Sequence, residues 1–419
     1  MSGNESKGTP AVSIWVAVAA FVAGAVLAML ALRAMPTTQG SAGSTSSATS
    51  AEATGVTSTD TSSATSPSSS ADTAPTLSPG ASMAEMAATY FPSWNPQSPA
   101  LAQLVSFVDE VTNPASTDYV DPEARVATFD MDGTFISEKA PVYIGFCLLF
   151  HRVLDDPTYQ APPEMRELVE QARSDADQGI VNDERSVELN RLYPQAFAGM
   201  EQAEFHAYVQ QFLDTVPVGG FEGMTYGGSF YQPMLEVIRY LQDHDFEVYI
   251  VSGSSRESVR AICVPLGIAP DHIIGTDIAL VATGQGDQDG ASYTFVPADK
   301  LLTGSNMYDE CLKTNKVIRI ATEIGRRPIL SFGNSSGDYA MLNYTQSNPE
   351  HRGMSFFVVC DDTEREYGNE EKTASYWETV KTNGWAGISM RDDWATIYGD
   401  GVKKTALPAE AQQELAQAA

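Results

Sequence analysis

Positive charge is scarce in this chain. Its 419 residues hold 25 Lys and Arg against 54 Asp and Glu, a formal net charge of −29. A duplex nucleic-acid partner requires Lys and Arg to neutralise phosphates, and the composition argues against one. It argues equally against docking on an anionic lipid surface through a basic patch. Cysteine is also rare. Cys147, Cys263, Cys311 and Cys360 lie far apart with no CxxC pair, which excludes a zinc cluster or a thioredoxin motif. In an exported protein they form up to two disulfides in any of three pairings; otherwise they are small buried core residues. Apolar material is not lacking: 43% of residues are hydrophobic and 9% aromatic, enough for a packed core.

Composition is segregated along the chain. Ala11 to Leu32 contains no charge and is interrupted only by Ser13 and Gly24. As a helix it spans about 33 Å at ~1.5 Å per residue, which is one bilayer core. A membrane-spanning helix over 11–33 is expected, with a cleaved signal peptide as the rival reading. Pro36 to Gly80 is almost entirely Ser, Thr, Ala, Gly and Pro and cannot bury enough apolar surface to fold, so 34–81 reads as a disordered stalk. No Lys or Arg occurs between Arg33 and Arg125. That pattern suits a short cytoplasmic segment 1–10, a single span, and a globular domain outside the membrane.

The domain is expected over 82–405, with 406–419 as a tail. Arg125–Phe129, Glu247–Val251, Pro328–Phe332 and Ser355–Val359 read as buried strands, and His272–Leu280 and Ser292–Val296 as shorter ones. From Glu138 to about Val216 the pattern is helical, Gly219–Gly228 is a glycine-rich return, and Pro233–His244, Arg256–Leu266 and Lys316–Ile324 read as helices. Strands alternating with helices imply an α/β fold with a mostly parallel, Rossmann-like sheet covered on both faces.

Three of these strands end in polar clusters, where a site forms at the carboxyl edge of an open α/β sheet. The first is Asp130-Met131-Asp132-Gly133-Thr134. Two neighbouring carboxylates leaving a buried strand call for a compensating cation, and Mg²⁺ takes oxygen ligands while keeping room for substrate phosphate. The second is Ser252-Gly253-Ser254, a hydroxyl and backbone N–H groups suited either to an anion or to capping a helix. The third is Gly333-Asn334-Ser335-Ser336-Gly337-Asp338, preceded by Lys313 and Lys316.

In this order (strand-DxDGT, strand-SG, lysine, strand-GNxxGD) the motifs resemble the haloacid dehalogenase superfamily, over roughly Arg125 to Leu342, in its phosphoserine-phosphatase-like branch with a C1-type helical cap. The resemblance implies a Mg²⁺-dependent phosphomonoesterase acting on a small phosphorylated metabolite. Asp130 matches the nucleophile that forms an aspartyl-phosphate, and Asp132 the general acid/base. Lys316 matches the catalytic lysine better than Lys313. Ser252 matches the phosphate-orienting hydroxyl, with Thr134 and Gly253 in support. The metal set is implied at Asp130, the Asp132 main-chain carbonyl, and Asn334 or Asp338. Many relatives carry aspartate where this chain has Asn334. Dehalogenase relatives lack an acid at the position of Asp132, so Asp132 favours phosphate esters over haloacids. The segment 138–228 is implied to be the cap, and Glu138 lies where relatives hold a substrate amine. Two other readings stay open: a phosphotransferase of the same fold, and an inactive scaffold used for binding.

Overall fold

Short apolar runs, bounded by polar turns, set the centre of the fold. The computed structural model describes residues 82–137, 142–180, 183–368 and 370–408. Its strands are β1 (Val126–Phe129), β2 (Phe221–Glu222), β3 (Glu247–Ser255), β4 (Ile273–Thr276), β5 (Ile278–Ala282), β6 (Leu301–Met307), β7 (Leu330–Gly333), β8 (Met354–Val359), β9 (Ala386–Ser389) and β10 (Lys403–Lys404). The helices before β2 are α1 (Met83–Tyr90), α2 (Pro99–Thr112), α3 (Ile144–Phe150), α4 (Pro163–Asp177), α5 (Asp183–Phe197) and α6 (Gln202–Thr215). The remaining ones are α7 (Gln232–Asp243), α8 (Arg256–Cys263), α9 (Thr314–Arg319), α10 (Tyr339–Gln346) and α11 (Glu370–Asn383).

Six strands form one sheet in the order β4-β3-β1-β7-β8-β9, each pair parallel. The chain runs outward from β1 through β3 to β4, then returns to the other side of β1 as β7. The carboxyl ends of β1 and β7 therefore flank the point where strand order reverses, and a crevice opens there in such sheets. Every residue of β1 and β7 is buried, as required of central strands with both faces covered. Phe129 stacks on Phe332 at 4.2 Å between ring centroids, and Phe332 on Phe356 at 5.1 Å. Helix α7 covers one face: Met234, Leu235, Val237, Ile238 and Leu241 are buried at helical spacing, and Pro233 sits in the first turn, where no N–H is needed.

An inserted segment leaves the sheet after β1 and comes back before α7. Its two stems are clamped together: Ser137 N–H donates to Ser229 O (2.9 Å), Tyr231 N–H donates to Phe135 O (2.9 Å), and Ile136 bridges Phe230. Between them lie α3 to α6, on the side of the sheet's carboxyl edge. The helical pattern over this segment accounts for α3, α4 and α6 but not for α5 as a separate element. Pro194 falls inside α5, a residue that ordinarily interrupts a helix and so hides this one from the sequence.

Three strand expectations are corrected. The run expected over His272–Leu280 is two strands in two sheets. β4 ends at Thr276, Asp277 is drawn aside by Arg256 (2.6 Å) and Arg319, and β5 pairs antiparallel with β6. Ser292–Val296 is not a strand. Asp299 accepts from the N–H groups of Gly284 and Val296 and from the hydroxyls of Thr283 and Tyr293, so a side chain organises this stretch as a loop. β3 does not stop at Val251 but continues, with a register shift, to Ser255. β9, which closes one edge of the sheet, is an addition to the expected strands.

Cys147, Cys263 and Cys311 are buried and unbridged, the core alternative to disulfides. Among the described residues no helix is long and apolar enough to cross a membrane. The apolar run Ala11–Leu32, the stalk, Glu138 and the end of the tail all lie outside the described residues.

Candidate active site

Asp130 is the first residue beyond β1. Its N–H donates to Phe332 O (3.0 Å), which ties it to β7, while the pairing of Phe129 with Ile250 carries Val251 and Ser252 to the same edge. The loop after it is tight. Thr134, Phe135 and Ile136 all turn their N–H groups back on Met131 O, and Gly133 takes φ +81°, a conformation that costs a side-chain-bearing residue most.

Lys316, in the first turns of α9, is fully buried and has its ammonium pointed at three oxygens. They are Asp130 Oδ1 (2.6 Å), Asp338 Oδ1 (2.7 Å) and Val251 O (2.6 Å). All three ammonium protons are therefore used. Lys313 is not part of this cluster; its main-chain N–H holds Gly337 O at 2.8 Å. Burial works against the Lys316 ammonium, but Asp130 and Asp338 outweigh it and hold its pKa above the usual lysine range. Burial, then the nearby Asp338 carboxylate, pushes the Asp130 pKa up against the pull of Lys316. The rise at Lys316 follows from two carboxylates sharing one ammonium, and the rise at Asp130 first from its burial.

Asp338 is consumed within its own loop. Its Oδ2 accepts from Asn334 N (3.0 Å), Ser335 N (3.0 Å) and Ser335 Oγ (3.2 Å). Gly333 permits this approach, since a Cβ there would stand 2.6 Å from Asp338 Cβ. Asn334, not Asp338, therefore faces the second oxygen of Asp130. One end of its side-chain amide lies 3.3 Å from Asp130 Oδ2, 3.0 Å from Asp132 O and 3.2 Å from Thr134 Oγ1. With the amide nitrogen at that end, the amide donates to these oxygens. With the amide oxygen there, Asn334 joins Asp130 Oδ2 and Asp132 O as acceptors with no proton between them, a donor set that suits a hard divalent cation. Among the described residues no group of three or more His, Cys, Asp or Glu side chains forms a metal cluster, so a cation here depends on the amide and the main-chain carbonyl.

Asp132 takes a different environment. Its Oδ2 accepts from Ser254 Oγ (2.8 Å) and its Oδ1 from Ile144 N (3.4 Å), the first residue of α3. Ser252 is buried and its Oγ accepts from Ser254 N–H (3.1 Å); it does not cap a helix, because the chain stays extended to Ser255. Thr134 Oγ1 reaches Asp130 Oδ2 at 3.4 Å. Asp130, Asp132, Gly253 and Asp338 open onto a cavity of about 310 Å³, roofed by Tyr143 and Phe146 around α3 and by Asn190 on α5.

The structure thus gathers Asp130, Asp132, Thr134, Asn334, Lys316 and Asp338 into one network, with Ser252 and Gly253 on the adjoining strand. Glu138 is outside the described residues. Sequence reasoning placed Ser254 in the second cluster without a role of its own and did not single out Asn190 or Glu310, which also line the cavity. Ser254 shares the strand alternation of Ser252 and was visible in the same cluster; nothing local marks the other two.

A doubly wound α/β sheet with an acid pair, a buried lysine and a cavity at its switch point defines a hydrolase-type catalytic domain. Residues 127–343, more than half of the chain, match the family described as haloacid dehalogenase-like hydrolase. The chain belongs to that family. No curated protein matches it. Among solved structures it is similar to a conserved functionally unknown protein from Anaerococcus prevotii (14% identity, 71% of this chain and 92% of that one, TM-score 0.43). It is also similar to a cytosolic 5'-nucleotidase IIIB bound to cytidine (13%, 76% and 94%, 0.41) and to a substrate-bound phosphoserine phosphatase (13%, 63% and 92%, 0.31).

Proposed function

We propose that this protein hydrolyses a small phosphomonoester through an aspartyl-phosphate on Asp130. The observation that carries the reading is the division of labour between two acids on one loop. Asp130 is gripped by Lys316 and aimed at the cavity, while Asp132, two residues on, is held apart by Ser254.

The residues act in two steps. An Asp130 oxygen attacks phosphorus as the bond from phosphorus to the leaving oxygen breaks, and Asp132 gives that oxygen its proton. Water then attacks the phosphorus of the aspartyl-phosphate, Asp132 takes the proton back, and phosphate and the Asp130 carboxylate are released. Lys316 offsets negative charge at both stages, Gly253 lines the cavity beside Asp130, and Ser252 and Thr134, both buried, support that edge from behind. Asp130, the Asp132 carbonyl and Asn334 would hold Mg²⁺, with Asp338 positioning Asn334. Bound there, Mg²⁺ would supply the neutralisation that lets an anionic nucleophile meet an anionic phosphoryl group. The segment 138–228 serves as a cap that limits access to the cavity.

The test is hydrolysis of an aryl phosphate by the purified full chain with Mg²⁺. Turnover that stops with EDTA, and that Asp130→Asn reduces by about 10³-fold or more, is expected. No turnover in the wild type, or full activity in Asp130→Asn, overturns the reading.

The uncharged run Ala11–Leu32 and the Ser/Thr-rich stretch after it support a second element: the catalytic domain is tethered to a membrane and displayed outside it. Protease added to intact cells then releases the domain; protection until lysis overturns the tether.

A further inference from the structure

We propose that the phosphate ester this site takes has an uncharged, apolar leaving group, with arylalkyl alcohols the best fit. The proposal rests on the phosphatase reading and names the substrate class of that site.

Above the catalytic acids the cavity wall is apolar, and it is built from four separate segments. Tyr143 and Phe146 come from the start of α3, Val187 from α5, Met307 from the end of β6 and Leu312 from the loop before α9. Three of them stand open to solvent: Val187 is 69% exposed, Leu312 39% and Tyr143 37%. Apolar area that converges on one opening marks a place where an apolar group binds. Leu312 lies next to the reacting end. A Cβ on Gly253 would stand 2.5 Å from Leu312 Cδ2, and one on Gly337 3.6 Å from it, so the leucine packs over two glycines at the carboxyl edge. Tyr143 and Phe146 meet edge to face with centroids 5.9 Å apart, an arrangement that a third ring extends.

The polar side chains at this level are turned on one another. The Asn190 amide donates to Glu310 Oε1 at 2.7 Å, and the Tyr193 hydroxyl bonds the Ser258 hydroxyl at 2.5 Å. Among the described residues lining the cavity there is no Lys, Arg or His. A leaving group with a carboxylate or a second phosphate therefore meets Glu310 with no basic side chain to offset it. A polyhydroxylated one gives up water for polar groups that already have partners. An apolar one gives up little and covers the five side chains. The walls keep their spacing because the inserted segment and the core are fastened beside them. Thr303 N–H, in β6, donates to Met200 O (2.9 Å), and Gly199 N–H, just past α5, donates to Thr303 O (2.8 Å).

The experiment compares three esters of unactivated alcohols on the full chain with Mg²⁺: benzyl phosphate, glycerol 1-phosphate and phosphoglycolate. In the wild type, kcat/KM for benzyl phosphate exceeds that for glycerol 1-phosphate at least about tenfold, equivalent to about 1.4 kcal/mol, and phosphoglycolate is the poorest. Val187→Asn and Leu312→Ala each lower the first ratio at least about threefold, and Leu312→Met, which keeps the apolar bulk, retains it. A ratio near one in the wild type overturns the proposal, as does a ratio unchanged in folded Val187→Asn and Leu312→Ala. Turnover of all three esters without preference overturns this proposal alone. No turnover of any ester, an aryl phosphate included, overturns the phosphatase reading and this proposal with it.

Discussion

Lys316 Nζ lies 2.6 Å from Asp130 Oδ1, and the lysine has no solvent exposure. Asp338 stands on the other side of the same ammonium at 2.7 Å. Removing one member of a buried charge group leaves the others uncompensated, a loss of about 3–5 kcal/mol. Lys316→Met is therefore expected to destabilise the protein by that order, as well as to abolish turnover. Adding Asp130→Asn removes one of the stranded carboxylates, so the double variant is more stable than Lys316→Met alone. Denaturant unfolding of the three proteins checks this; equal stability of the two lysine variants would argue that the cluster carries no coupled charge.

Ser254 holds the second acid. Its hydroxyl donates to Asp132 Oδ2 at 2.8 Å, and its N–H donates to Ser252 Oγ at 3.1 Å. Ser254→Ala leaves Asp132 with a weaker hold, and kcat for an aryl phosphate falls about tenfold, the worth of roughly one charged hydrogen bond. Ser254→Thr keeps the hydroxyl and restores kcat. An unchanged kcat in a folded Ser254→Ala assigns the serine to structure only.

Asn334 faces Asp130 Oδ2 and Asp132 O with a neutral amide. Asn334→Asp adds a negative oxygen where the proposal puts Mg²⁺. The Mg²⁺ concentration for half-maximal activity falls, and Asn334→Ala raises it. Metal titration of the rate reads both. The opposite order shows that the amide donates to the two acids instead of sharing a cation with them.

The sheet and the central acids were legible because each depends on local signals. Apolar runs such as Val126–Phe129 must be buried, and polar clusters that follow them must emerge at the carboxyl edge. Lys316 could be preferred to Lys313 because it heads a helix. What the sequence did not disclose depends on contacts between distant segments. β5 and β6 look like any short strand until Asp277 is pulled away by Arg256 and Arg319. Asn190 and Glu310 are ordinary polar residues until α5 and the segment after β6 pack together. The engagement of Asp338 Oδ2 by its own loop, which leaves Asn334 facing Asp130, is likewise a matter of folded geometry.

Glu366 offers a test of stability that is independent of catalysis. It is fully buried, accepts from the Tyr398 hydroxyl and from Tyr367 N–H (2.8 Å), and touches no cation among the described residues. Burial pushes its pKa up to about 7 from an ordinary 4.5, against the pull of these donors. Between those two values the folded protein binds a proton that the unfolded chain has released, so stability falls as pH rises. The contribution is whole below the ordinary value and is lost as pH climbs to the folded one. At about 1.4 kcal/mol per pKa unit, its size is at most roughly 3.5 kcal/mol. Glu366→Gln keeps an acceptor for Tyr398 without the titration, so the difference in unfolding free energy between variant and wild type shifts in favour of the variant from pH 4.5 to 7 and is constant above. Denaturant curves at stepped pH measure that difference. A flat difference across the range means that Glu366 titrates alike in the folded and unfolded chains.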